Sequence, residues 1–136
     1  RDEGTSYHYL PPATFAEAPD TKLLARVEEA TSGLSGIAVH RGATWTTDAP
    51  YRETEAAIAS ARALGALAVE MEASALYAFA AASRRSVVCF AHVTNAMAQT
   101  EGDFEKGESN GAAATIAVVA AAARAWLSSA TAEPHA

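Results

Sequence analysis

Ala68-Val69-Glu70-Met71-Glu72-Ala73 decides how this chain is read. Leu67 to Met71 is apolar except for Glu70, the pattern of a short buried strand. Glu72 to Arg84 has the length and composition of a helix. Two carboxylates therefore flank a thioether at a strand-to-helix junction. Two residues apart, Glu70 and Glu72 share one face while the backbone stays extended. A carboxylate that closes a buried strand is costly unless it finds a partner or a ligand. Glu72 fits two readings: a charge that caps the helix N-terminus, where the dipole favours an anion, or an acceptor aimed at a ligand.

Upstream of the junction, Glu53 to Leu64 is predicted helical, with Gly65 as its C-terminal stop. Before it, a strand is expected near Gly36 to His40, continuing through Arg41-Gly42 to Trp45-Thr46-Thr47. The break comes at Thr47-Asp48-Ala49-Pro50. Thr21 to Ala30 reads as a helix, with Leu23, Leu24 and Val27 on one face. Residues 1–20 form an irregular arm containing Pro11, Pro12 and Pro19, and Tyr7, Tyr9 and Phe15 are expected to pack it down. Downstream, Leu76, Phe79 and Ala80 mark the expected inner side of the Glu72 to Arg84 helix. Ser86 to Val93 is a strongly apolar strand candidate. Residues 95–110 form a polar loop whose Asp103, Glu105 and Lys106 suit a lid. A final helix spans Gly111 to Ser128 with Ile116, Val119, Ala123 and Trp126 as its buried stripe.

Helices alternating with short strands predict an α/β domain with a largely parallel sheet covered on both faces. The core is expected over residues 21–128, with 129–136 as a tail. In such sheets ligands gather at the carboxyl ends of strands. Thr47-Asp48, Glu70 to Glu72 and Thr94-Asn95 all stand at such ends and are expected to line one cleft.

The totals narrow the chemistry. The chain has 136 residues, is half apolar and carries a formal charge of -6. It has enough apolar surface for one core and no basic patch for nucleic acid. The lone Cys89 sits in an apolar run, which suits an inert buried thiol and a cytoplasmic setting. His40 and His92 lie in apolar runs and read as hydrogen-bonded core or edge residues, and His8 and His135 are too scattered to hold a metal, so none is expected. No signal peptide opens the chain, and the apolar run from Gly111 to Ala123 is short of the ~20 residues a membrane helix needs. The opening Arg1-Asp2-Glu3-Gly4-Thr5-Ser6 is turn-like, so a C-terminal part of a longer fold is expected. Carboxylates accept hydrogen bonds without donating, so Glu70 and Glu72 suit a cis-diol that offers two donors. Met71 would add an adaptable apolar surface.

Several segments together resemble the purine and uridine nucleoside phosphorylase family. Ala68 to Ala73 is similar to that family's ribose-binding motif, and Trp45-Thr46-Thr47-Asp48-Ala49-Pro50-Tyr51 to its base-site segment. Val93-Thr94-Asn95 resembles the stretch that carries the base-side Asp or Asn. Asp2 to Tyr9 with Pro11-Pro12 resembles a loop of the uridine phosphorylase branch. The resemblance implies a three-layer α/β/α fold with a largely parallel or mixed sheet, present as its C-terminal part. It implies a pentosyltransferase of nucleoside salvage that splits a nucleoside into free base and ribose 1-phosphate. Inorganic phosphate is then the co-substrate, and no cofactor or metal is expected. By the same resemblance Glu72 holds the ribose hydroxyls, Met71 packs on the sugar, Glu70 lies in the same binding stretch and Tyr51 meets the base. Catalytic roles fall to Glu72 and Asn95. A cytoplasmic homo-oligomer, a dimer-built hexamer, is implied as well.

The chain departs from the pattern at three places. Pro50 stands where the family stacks a Phe. Arg52 is not at the spacing of the family's pyrimidine-binding Arg. Asn95 replaces the Asp that serves as general acid in related nucleosidases, and an amide donates no titratable proton. Asn95 therefore favours uridine or a 6-oxopurine nucleoside over adenine nucleosides. The family's glycine-rich phosphate loop precedes the matched region, so the chain alone is expected to be inactive. Two other readings remain open from sequence: a hydrolytic nucleosidase and a non-catalytic nucleoside-binding module.

Overall fold

The computed structural model of the protein describes Tyr9, residues 15–94 and residues 111–130. Asn95 and the expected lid residues Asp103, Glu105 and Lys106 lie outside the described residues. The described residues of Arg1–Asp20 and Gly42–Ala91 form one compact unit. Those of Thr21–Arg41 and His92–Ala136 form the other.

The first unit is built on strands β1 (Ala43–Thr46) and β2 (Ala66–Glu70), which pair in parallel with Thr46 opposite Glu70. Parallel neighbours need a crossover. Here it holds a 3₁₀ turn at Pro50–Arg52 and helix α2 (Glu55–Ala63). Thr54 caps α2 by accepting the Ala57 N–H at 3.3 Å. Gly65, at φ +82°, adopts the left-handed conformation that ends a helix with least strain and turns the chain into β2. Helix α3 (Ala73–Ser83) follows β2. It closes with Arg84 in the left-handed region at φ 52°, and the Arg85 N–H returns to the Ala80 carbonyl at 2.8 Å. That is a Schellman closure with arginine in the place usual for glycine. From the arm, Tyr9 meets Phe79 edge to face, with centroids 6.1 Å apart.

The buried face of α3 is its small-residue face, Ala73, Ser74, Ala78 and Ala80. Leu76 and Phe79 are exposed, so only Ala80 of the expected inner side is buried. A helix with almost no polar residues gives periodicity nothing to phase against. Small side chains also let backbones approach most closely. The second unit shows the same choice. Helix α1 (Thr21–Ser32) buries Leu23, Val27 and Thr31 at a spacing of four and packs on helix α4 (Ala112–Ala130). Among the described side chains of α4, Ala121 and Ala122 are buried, whereas the expected stripe of Ile116, Val119, Ala123 and Trp126 is exposed. Gly111, at φ +75°, precedes α4, and a Cβ there would lie 1.7 Å from the His92 ring. His92 itself is exposed and bonded to Thr115 at 3.2 Å, and His40 is exposed outside any strand.

Among the described residues the strand expected over Ser86 to Val93 is not formed, and the one expected from Gly36 to Thr47 forms only in its last part. Residues 37–42 and 85–94 carry no ladder bonds, and β1 is confined to Ala43–Thr46. Apolar, β-branched runs become strands only when a neighbour supplies the ladder. The protein is therefore α/β, with helices and a small parallel sheet. No helix among the described residues is long and apolar enough to cross a membrane.

Candidate functional site

The carboxyl ends of β1 and β2 carry the site. Paired residues of parallel strands point to the same side, so the Thr46–Glu70 register sets the Glu70 side chain beside Thr46. Thr44, two residues earlier, lies on the same face. Both threonine hydroxyls donate to one oxygen of Glu70, Thr44 at 3.0 Å. The other oxygen accepts the backbone N–H groups of Glu72 at 2.7 Å and Ala73 at 2.6 Å. The Thr46 hydroxyl in turn accepts the Ser74 N–H at 3.0 Å. Three N–H groups at the start of α3, which the helix cannot satisfy itself, are thus bonded by two side chains from the sheet. The Glu70 carbonyl also accepts the Thr47 N–H at 2.9 Å.

Burial raises the proton affinity of Glu70. The bonds from Thr46, Ala73, Glu72 and Thr44 outweigh it and hold the carboxyl below its ordinary value of 4.5. The cost of a carboxylate at the end of a half-buried strand is met inside the protein. Both Glu70 oxygens, expected to lie in the binding stretch, are engaged by internal donors.

Glu72 is different. It occupies the N-cap position of α3 with φ -131°, yet its side chain makes no capping bond and is exposed. Of the two readings open from sequence, capping is performed by Glu70 and not by Glu72. Among the described residues the Glu72 carboxylate has no partner, and it stands at the positive end of a helix. Met71, beside it, is 47% exposed. Tyr51 is 86% exposed on the 3₁₀ turn that follows β1. Directly after β1, Thr47 is fully buried and donates to the Ala49 carbonyl at 3.2 Å. Asp48 and Arg52 approach to 3.9 Å at the surface.

Glu70, Met71 and Glu72 are therefore assembled at one strand end, with Tyr51 following the end of its paired neighbour. The third member of the expected cleft, Asn95, lies outside the described residues. Thr44 and the hydroxyl role of Thr46 were not anticipated. Their signal is a Thr-x-Thr alternation, which acquires meaning only once the pairing partner of that strand is known.

The Cys89 N–H donates to the Tyr77 hydroxyl at 3.0 Å. Burial pushes the Cys89 thiol up, against the opposing pull of its bond with Tyr77, and nearby Glu70 and Glu72 add to the rise. A thiol so disposed stays protonated and unreactive at neutral pH. Among the described residues no group of three or more His, Cys, Asp or Glu could hold a metal ion.

A family model described as the phosphorylase superfamily matches residues 1–126. No curated protein and no solved structure matches the chain.

Proposed function

Because the chain belongs to the phosphorylase superfamily, we propose that it carries the nucleoside-binding segment of a phosphate-dependent pentosyltransferase. Its substrate is uridine or a 6-oxopurine nucleoside. The observation that supports this most is the division of labour between two glutamates. Glu70 satisfies the helix, and Glu72 is left exposed beside Met71 with no partner among the described residues.

In this reading the Glu72 carboxylate accepts hydrogen bonds from the ribose 2′- and 3′-hydroxyls, and Met71 packs on the sugar. A phosphate oxygen attacks the anomeric carbon as the bond from that carbon to the base nitrogen breaks. The electron pair leaves with the base, and the products are ribose 1-phosphate and free base. The sugar passes through an oxocarbenium-like state, which the fixed negative charge of Glu72 stabilises. Tyr51 contacts the base, with Pro50 giving an apolar face where relatives stack a Phe. Asn95 bonds the base edge without donating a titratable proton, which suits leaving bases that need little protonation. Inorganic phosphate is the co-substrate, and the working enzyme is a cytoplasmic homo-oligomer.

The test is a substrate panel of uridine, inosine, adenosine and methylthioadenosine, with and without phosphate, on protein that includes the expected phosphate loop. Release of base and ribose 1-phosphate from uridine or inosine, only when phosphate is present, is the expected result. Efficient phosphate-independent hydrolysis of methylthioadenosine would instead assign a nucleosidase.

A further inference from the structure

We propose that Glu70 is a positioning residue: with Thr44 and Thr46 it locks the Met71–Glu72 corner, so that the Glu72 carboxylate is held free for the ribose hydroxyls. The identity of the ligand rests on the nucleoside reading above; the brace itself rests on geometry alone.

The corner joins a strand to a helix through Met71 and Glu72, and it exposes the N–H groups of Glu72, Ala73 and Ser74 at the helix start. An N-cap side chain ordinarily accepts from the second or third helical N–H. For Glu72 these are the N–H groups of Ser74 and Ala75, and a carboxylate beside an unsatisfied amide would fold back onto it. Thr46 already occupies the Ser74 N–H at 3.0 Å. Glu70 occupies those of Glu72 and Ala73 at 2.7 and 2.6 Å. With Ser74 engaged, one of the two amides that Glu72 could cap is already taken, and Glu72 makes no capping bond to the other. The brace also ties the corner to two elements at once, β1 through the threonine hydroxyls and α3 through the amides. A binding group held by packed neighbours loses less freedom when its ligand arrives.

The experiment uses the full chain and its Glu70→Ala, Glu72→Ala and doubly substituted forms, with Glu70→Gln as the isosteric variant if alanine unfolds the protein. Amide hydrogen exchange is read at Glu72, Ala73 and Ser74 without ligand. Binding is then measured for uridine and inosine and for their 2′,3′-dideoxy analogues. Glu70→Ala is expected to speed exchange at Glu72 and Ala73 and to weaken ribonucleoside binding about tenfold, the scale of one charged hydrogen bond. Binding of the dideoxy analogues should not change, and the double variant should bind no more weakly than Glu72→Ala alone. Glu70→Gln should fall between the wild type and Glu70→Ala. Unchanged exchange in Glu70→Ala overturns the brace, and losses that add fully in the double variant overturn its action through Glu72. If the wild type shows no dependence on the ribose hydroxyls, the nucleoside reading and the ligand part of the proposal fail together, and exchange decides the brace by itself.

Discussion

Thr46→Val tests the brace from the strand side. The Thr46 hydroxyl is buried, donates to the Glu70 carboxylate and accepts the Ser74 N–H. Valine keeps the branched shape and removes both bonds. Loss of a hydrogen bond to a charged group costs about 1.5–3 kcal/mol, and stranding the buried Ser74 N–H costs about 1–3 kcal/mol. The two losses share one network and do not add in full, so a total of about 2–4 kcal/mol is expected. With a urea slope of about 2 kcal/mol/M, the unfolding midpoint should fall by about 1–2 M. Thr44→Val removes one bond at a part-buried position and should cost about 1 kcal/mol. Thr46→Ser keeps the hydroxyl and should recover most of the loss. Urea titrations followed by far-UV circular dichroism at neutral pH compare all three. A Thr46→Val midpoint no lower than that of Thr44→Val would refute the two-sided role of this hydroxyl.

Other outcomes follow from the same geometry. The folded protein holds Glu70 below its ordinary value of 4.5. Its contribution to stability is therefore complete above that value and is lost as pH falls through it toward the lowered folded value. Glu70→Gln should flatten this acid limb in unfolding curves taken from pH 6 downward, and an unaltered limb would count against the assignment. Glu72→Gln should leave stability within about 0.5 kcal/mol, because the side chain caps nothing. The same change should remove about 2–4 kcal/mol of transition-state stabilisation in a phosphorolysis assay. Arg84→Gly should raise stability by roughly 1 kcal/mol in urea titrations, since it relieves a left-handed arginine at φ 52°.

Much of the helix layout was legible in the sequence, and the reason is local. Thr54 and Gly65 bound α2 by capping and turn chemistry that needs no distant partner, and the observed helices fall within a few residues of those expected. Strand pairing is non-local. Residues 85–94 are as apolar as β2 yet form no ladder among the described residues, because only a neighbour can make a strand of them. Helix faces were the weakest reading. Alanine dominates α3 and α4, so bulky side chains were placed inward. The helices instead turn Ala78, Ala80, Ala121 and Ala122 to their cores and leave Phe79 and Ile116 outward. The two glutamates were found as a pair, but their roles were not separable. Which one caps α3 depends on Thr44 and Thr46 lying across the sheet, 26 and 24 residues away in sequence from Glu70.

The central claim is that Glu72 is open to a ribonucleoside, and a titration followed by backbone amide NMR tests it most directly. Uridine and inosine are added to the chain beside their 2′,3′-dideoxy analogues, in the wild type and in Glu72→Gln. The expected result is a set of shifts centred on Met71 and Glu72 that requires the ribose hydroxyls and disappears in the variant. Shifts that are equal for the dideoxy analogues, or that persist without the Glu72 charge, would contradict the account.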